Sequence, residues 1–216
     1  MSERYVRSVT PSESGLDDAT RVLIQLSAAI AAGDEATVRY WLLQAARGAP
    51  PLHVEELLLQ SYLFCGFPRA LNAAREWRRV SQRLAPASDE AEDLSLAEEW
   101  RERGEQTCAA VYDGMYEKLR LNVRDLHPAL DAWMVVDGYG KVLSRPGLDL
   151  PRRELCVVAA CAAMGQDRQL HSHLRGALNV GVAPGALREA IDAIAGLIGA
   201  ERARSAQLLL ARILGK

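Results

Sequence analysis

His171 and His173, two histidines separated by one serine, are the first candidates for chemistry in this chain. On an α-helix, residues two positions apart point about 200° away from each other, so this pair cannot ligate one metal ion from the same face. Leu170, Leu174 and Leu178 form an apolar stripe, and each histidine flanks that stripe at a half-buried boundary position. We expect no metal site here, and the spacing alone does not decide which histidine is functional.

Glu154 is a second candidate, because it precedes the almost wholly apolar helical stretch LCVVAACAAM. A carboxylate beside such a buried segment must find a partner or bind a proton, which makes it a credible general acid or base. The alternative is a carboxylate that only interacts with the helix dipole in the first turns. Cys161 lies seven residues further on and so on the same helix face as Glu154, which makes it a candidate wall of a pocket.

The cysteines give no thiol-chemistry motif. There are four, at positions 65, 108, 156 and 161, and none forms a CxxC pair or a zinc-ligand spacing. Cys156 and Cys161 lie about 140° apart on a helix. We therefore expect reduced thiols that act as small hydrophobic residues.

Composition and charge narrow the class of protein. The chain has 216 residues, 49% hydrophobic and 25% charged, which is enough for a sizeable core. The net charge is −2 with both signs interspersed, so neither a nucleic-acid partner nor a membrane patch is expected. The sequence shows no signal-peptide pattern and no apolar run of about 18 residues, and a cytoplasmic location is expected.

The apolar residues recur at helical spacing, which predicts an all-α protein. Residues 1–16 are expected to form a polar arm. Ser95 and Glu98 match a capping box and predict a helix from about Leu96. The glycine-rich stretch 136–149 is expected to interrupt the helices, and Asp149 and Pro151 predict the start of the next one.

The chain also contains an internal repeat. Residues 21–77 align with residues 153–210 at an offset of 132 that becomes 133 after one gap. The aligned positions include glycines and a proline that mark helix ends: Gly33 with Gly165, Gly48 with Gly181, Pro51 with Pro184 and Gly66 with Gly199. We expect two pseudo-symmetric units of three helices each, at 17–84 and 149–216, joined by a linker with helices at 85–148.

The first unit lacks the two candidate proton-transfer groups. Val22 stands at the position of Glu154, and Trp41 at that of His173, so this half is expected to be structural. Its aromatic and histidine side chains could still line a pocket shared between the units, although aromatic residues at helical spacing are more often core: Tyr40, Trp41, His53 and Tyr62.

The segment RPGLDLPRRELCVVAACAAMGQDRQLHSHLRGALNVGVAPGALREAI resembles the core of the carboxymuconolactone decarboxylase family, which includes the AhpD-type alkylhydroperoxidases. The resemblance implies an AhpD-like helical fold with functional residues Glu154 and His173. The CxxC positions of the peroxidase branch fall on Gln166 and Gln169, and an amide can replace neither thiol. Thiol peroxidase activity is therefore the less favoured function.

The resemblance implies a cofactor-free lyase or isomerase that acts on a small lactone or keto acid. Such chemistry needs a cation near the developing enolate, and Arg145 in the loop before Glu154 is the best candidate. Arg145, Cys161 and His171 are the expected substrate-binding residues. The resemblance also implies a homo-oligomer, with a trimer favoured. A non-catalytic ligand-binding or structural member of the same fold is the alternative.

Overall fold

A computed structural model describes residues 15–215, so the predicted polar arm lies almost entirely outside the described residues. The described residues form helices and turns without any strand, which confirms the all-α prediction. Between residues 15 and 215, no helix combines the length and the apolar character needed to cross a bilayer.

The helices fall into three groups along the chain. The first unit contains α1 (Asp18–Ala32), α2 (Glu35–Gly48), α3 (Pro51–Cys65) and α4 (Phe67–Ser81). The linker contains α5 (Ala97–Tyr112), α6 (Tyr116–Leu126), α7 (Pro128–Trp133) and a π-helix (Met134–Leu143), with short 3-10 turns at Glu90–Glu92, Leu94–Leu96 and Asp113–Met115. The second unit contains α8 (Leu150–Met164), α9 (Asp167–Asn179), α10 (Pro184–Ile198) and α11 (Ala200–Ile213).

The helix boundaries confirm the two-repeat prediction. α1 and α8 coincide at an offset of 132, and α3 and α10 coincide at an offset of 133. Asp17 and Asp149 correspond as well, and each caps its helix by accepting a hydrogen bond from a backbone N–H three residues on. The same local signals therefore start the same helices in both halves.

Each unit has four helices, so the prediction of three was wrong. Gly66 and Gly199 adopt φ values of +79° and +83°, which a side chain rarely tolerates, and each separates two helices at that point. The sequence alignment pairs these two glycines, but the helical periodicity on both sides of them hides the break.

The two units share one core. α1 and α8 pack against each other, and both are buried along most of their length. Leu23 and Ile24 of α1 belong to the same apolar cluster as Leu155 and Val158 of α8. The repeats therefore stabilise each other as halves of one body and do not form separate cores.

Reciprocal ion pairs also join the units. Arg153 of α8 pairs with Glu56 of α3 at 2.7 Å, and Arg21 of α1 pairs with Glu189 of α10 at 3.0 Å. Arg21 and Arg153 are equivalent in the repeat, as are Glu56 and Glu189. The ion pair of Arg153 is buried and that of Arg21 is partly exposed, so the two equivalent pairs differ in their exposure to solvent.

The linker forms a closely packed helix pair where the sequence predicted an interruption. The helical backbone continues to Leu143 as the π-helix, because the glycines there allow close packing and do not form turns. A Cβ at Gly104 would lie 2.1 Å from the carbonyl oxygen of Val135, and one at Gly140 would lie 2.0 Å from that of Trp100. α5 and the π-helix can therefore pack this closely only because neither position carries a side chain.

The predicted capping box is also wrong, although the helix begins within one residue of the predicted position. α5 starts at Ala97 and has no side-chain cap. Ser95 donates its backbone and hydroxyl hydrogens to Asp93, so Asp93 caps the 3-10 turn that precedes the helix.

Candidate active site

Glu154 and His173 form a buried pair between α8 and α9. Asp149 caps α8 and Pro151 stands in its first turn, which places Glu154 in the second turn, with no exposed surface. α9 packs against α8, and His173 Nδ1 lies 2.9 Å from Glu154 Oε2. The helix packing therefore brings together the two residues that the sequence pointed to.

A glycine leaves room for the Glu154 carboxylate. A Cβ at Gly176 would lie 2.8 Å from Glu154 Oε2 and 2.6 Å from Val111 Cγ1. Among the described residues, Glu154 Oε1 is buried and has no hydrogen-bond partner. His173 is thus the main polar contact of a carboxylate held in an apolar environment, where an unpaired charge is costly.

His173 connects this pair to an open cavity of about 530 Å³. Its imidazole forms part of the cavity wall, and the described residues offer Nε2 no hydrogen-bond partner. Glu154 does not line the cavity and lies behind the imidazole. A molecule in the cavity would therefore meet His173, and Glu154 would act only through it.

All three parts of the chain contribute to the cavity. Besides His173 from the second unit, its walls come from the first unit and from the linker. The remaining lining residues are Tyr62, Leu63, Phe64, Phe67, Tyr112, Leu130, Trp133, Met134, Asp137, Gly138, Tyr139 and Leu143. The first unit thus lacks its own proton-transfer pair but supplies a wall of the cavity beside the second unit's pair.

Aromatic side chains surround the imidazole. Phe64 meets the His173 ring edge to face with centroids 5.5 Å apart, and the centroid of Tyr112 lies 6.5 Å away. Burial raises the pKa of Tyr112 to about 12 and that of Tyr139 well above its usual value. Both phenols therefore stay protonated near neutral pH. Tyr139 donates its hydroxyl hydrogen to Tyr112, which leaves the hydroxyl hydrogen of Tyr112 for the cavity.

Three predicted substrate-binding residues lie elsewhere. His171 is exposed on α9, on another side from His173. Cys161 is buried and does not line the cavity. The guanidinium of Arg145 is bound by Glu56 at 3.0 Å and by Asp89 at 2.9 Å, so it joins a structural ion-pair network. The structure does not bring these residues to the cavity wall.

Four side chains of the first unit were considered from the sequence as possible pocket walls. Tyr62 lines the cavity, whereas Tyr40, Trp41 and His53 do not. Sequence reasoning missed Phe64, Tyr112, Trp133 and Tyr139, because aromatic residues at helical spacing are typical of a core. Trp133 and Tyr139 lie beside or within the glycine-rich stretch, which was a signal for these two, whereas Phe64 and Tyr112 had no such signal.

The thiols are poorly suited to peroxide chemistry. Cys156 and Cys161 are both buried and free, and burial raises the pKa of each thiol to about 12. The nucleophile of a thiol peroxidase is the thiolate, which is scarcely populated at neutral pH for such groups.

Comparison with known proteins identifies a family. The family model described as the carboxymuconolactone decarboxylase family matches residues 3–79 and 129–212. The 4-carboxymuconolactone decarboxylase of Acinetobacter baylyi is 34% identical over 70 residues, which are 32% of this chain and 52% of that protein. This chain therefore matches about half the length of that curated relative. Tyr112 lies between the two segments that the family model matches.

Proposed function

The chain belongs to the carboxymuconolactone decarboxylase family, and on this premise we propose that it is a cofactor-free lyase or isomerase that moves a proton at a carbon next to a carbonyl group. The observation that carries the proposal is the Glu154–His173 pair, whose imidazole lies in the wall of an open cavity while its carboxylate is buried behind. Lactones and ketones are the substrate types that such chemistry needs.

His173 is the catalytic residue of this proposal. Its unprotonated Nε2 takes a proton from the carbon beside the carbonyl, and the C–H electron pair moves into an enolate. The imidazolium then returns the proton to another carbon of the enolate, which gives an isomer. If the substrate instead loses carbon dioxide to form the enolate, a protonated His173 supplies the proton to carbon.

Glu154 is a positioning residue, since it does not reach the cavity. As a carboxylate it accepts a hydrogen bond from the protonated Nδ1, which leaves Nε2 as the base. The same carboxylate stabilises the imidazolium that forms during proton transfer, as the aspartate of a hydrolase triad does for its histidine.

Tyr112 supplies a hydrogen-bond donor for an enolate oxygen, and Tyr139 supports it. Both line the cavity with His173, and Tyr139 donates to the Tyr112 oxygen, which leaves the Tyr112 hydroxyl hydrogen free. Donors aimed at the developing negative charge in a water-poor site are a major source of catalysis.

The proposal is tested by incubating the protein in deuterated water with simple cyclic lactones and ketones and measuring deuterium at the carbon beside the carbonyl. Glu154→Gln and His173→Ala should each slow the incorporation at least tenfold, since general acid–base groups contribute about 10²- to 10⁴-fold. The double variant should be scarcely slower, because the two groups act as a unit. His171→Ala, the matched control on the same helix, should retain the rate.

A fully active Glu154→Gln protein would contradict the proposal. The alternative, a ligand-binding or structural protein, is supported by the complete burial of Glu154. It predicts no deuterium incorporation into any compound, together with a lower melting temperature for both variants.

A further inference from the structure

We propose that the cavity takes an uncharged carbonyl compound with a flat, apolar body, and that it rejects carboxylates. This inference rests on the proposed function, because it names the substrate class of the same site. It departs from the small organic acid expected from the sequence, and also from the carboxylated lactone that the name of the Acinetobacter relative denotes. Of the two reactions of the proposed function it therefore selects isomerisation, because loss of carbon dioxide would need a carboxylate substrate.

The charges on the cavity wall carry the inference. Among the described lining residues, Asp137 is the one with an ordinarily ionised side chain, and it is an anion. His173 and the three tyrosines are the other titratable groups of the wall, and the remaining side chains are apolar. A carboxylate that entered would lose hydration, and no arginine or lysine of the described wall would pair with it. Asp137 adds a like charge, which Lys141 balances only in part from 3.7 Å away, outside the wall.

The cations that flank the linker's lining residues are already paired. Lys141 lies 3.7 Å from Asp137, and its ammonium group sits 4.1 Å from the centre of the Trp100 ring. Arg120 is bound by Asp131. These contacts hold both positive charges outside the described cavity wall.

Three arginines that lie close in sequence to other lining residues also have their guanidinium groups directed away from the cavity. Arg145, two residues after Leu143, is held by two carboxylates. Arg69, two residues after Phe67, donates to the carbonyl oxygens of Ile30 and Gly33. Arg175, two residues after His173, is exposed and projects about 200° away around α9.

The shape and chemistry of the wall favour a flat, neutral ligand. Tyr62 and Phe67 stack with centroids 4.8 Å apart, and Phe64 and Trp133 add further aromatic surface. Aromatic walls bind planar apolar groups by offset or edge-to-face contact. The phenol of Tyr112, which accepts a hydrogen bond from Tyr139, has its own hydroxyl hydrogen to donate to a carbonyl oxygen.

The test compares two probes that share one bicyclic ketone core, 2-tetralone and its 6-carboxylate, which is charged at neutral pH. Binding is followed by titrating each probe against the His173 ring signals in NMR spectra, assigned with His173→Ala. We expect 2-tetralone to bind at least tenfold more tightly than the carboxylate. Equal or tighter binding of the carboxylate, or no binding of 2-tetralone up to its solubility, would overturn the inference.

A charge variant tests the cause of the selectivity. Asp137→Asn should tighten binding of the carboxylate severalfold and leave binding of 2-tetralone unchanged. Asp18→Asn, which makes the same charge change at an exposed position of α1, should alter neither. Carboxylate binding that stays unchanged in Asp137→Asn would place the discrimination outside this wall and overturn the inference.

Deuterium incorporation separates this inference from the proposed function. If 2-tetralone binds at His173 without incorporating deuterium, and no other carbonyl probe does so, the proposed function fails while the substrate class stands. If the carboxylate exchanges its protons and 2-tetralone neither binds nor exchanges, the substrate class fails while the proposed function stands.

Discussion

A buried carboxylate with one polar partner sets the chemistry at the residue scale. Glu154 has no exposed surface. Its Oε2 lies 2.9 Å from Nδ1 of His173, whose ring forms part of the cavity wall. Removing one member of a buried charged pair leaves the other uncompensated, so each residue constrains the other. A glycine at position 176 provides the space in which the carboxylate can sit.

The cysteines give a prediction at the same scale. Because burial raises the pKa of Cys156 and Cys161 to about 12, alkyl hydroperoxides should not be turned over with a thiol reductant. Serine at either position should change stability and leave activity unaffected. Thiol-dependent turnover that disappears in either serine variant would contradict this.

The raised thiol pKa values also imply a pH dependence of stability. Thiols in the unfolded chain have an ordinary pKa of 9.0, whereas burial raises the pKa of these two to about 12 in the folded protein. The folded state therefore binds more protons above pH 9, and the contribution that is fully present below pH 9 is lost as the pH rises from 9 to 12. Urea unfolding across this range should show a smaller pH-dependent loss for Cys156→Ser than for the parent.

At the scale of elements, the packing of α5 against the π-helix positions half of the cavity wall. Gly140→Ala should destabilise the fold by about 1–3 kcal/mol or more, since its Cβ would lie 2.0 Å from the carbonyl oxygen of Trp100. It should also weaken 2-tetralone binding, because the π-helix carries the lining residue Tyr139. Gly114→Ala, where a Cβ would have no neighbour within 4 Å, is the control for urea unfolding. Equal stability of the two variants would contradict this packing.

These glycines show where sequence reasoning stopped. The glycine-rich sequence predicts that the helix is interrupted near Gly140. It does not reveal that a second helix packs so closely there that only glycine fits. The aromatic wall was missed for a related reason, since Tyr112 and Tyr139 are adjacent only after α5 and the π-helix have packed. The repeat, the caps at Asp17 and Asp149 and the choice of Glu154 were accessible, because they depend on local signals or on resemblance.

At the scale of the whole molecule, the reciprocal ion pairs allow the two halves to be compared directly. Glu56→Gln should cost about 3–5 kcal/mol, because it leaves the buried guanidinium of Arg153 and that of Arg145 without this carboxylate. Glu189→Gln, the matched change in the other half, should cost at most about 1 kcal/mol, since both side chains of its pair are 39% exposed. Equal losses in urea unfolding would contradict the asymmetry.

Assembly remains a prediction at this scale. Large apolar side chains are more than half exposed on α4 and α6, among them Leu71 at 59%, Leu121 at 62% and Leu126 at 76%. Contact between copies would bury such surface. The family resemblance implies a trimer of the two-unit chain. Sedimentation at micromolar concentration should give three times the chain mass, and a monomer would contradict the prediction.

The central claim is that Glu154 fixes the proton of His173 on Nδ1 and leaves Nε2 as a base at the cavity. Nitrogen NMR of the imidazole at pH 8 tests it most directly, because the spectrum distinguishes a protonated from an unprotonated ring nitrogen without requiring a substrate. We predict a protonated Nδ1, an unprotonated Nε2 whose signal shifts when 2-tetralone is added, and loss of this fixed tautomer in Glu154→Gln. A proton on Nε2 in the parent protein, or an identical spectrum in Glu154→Gln, would contradict the account.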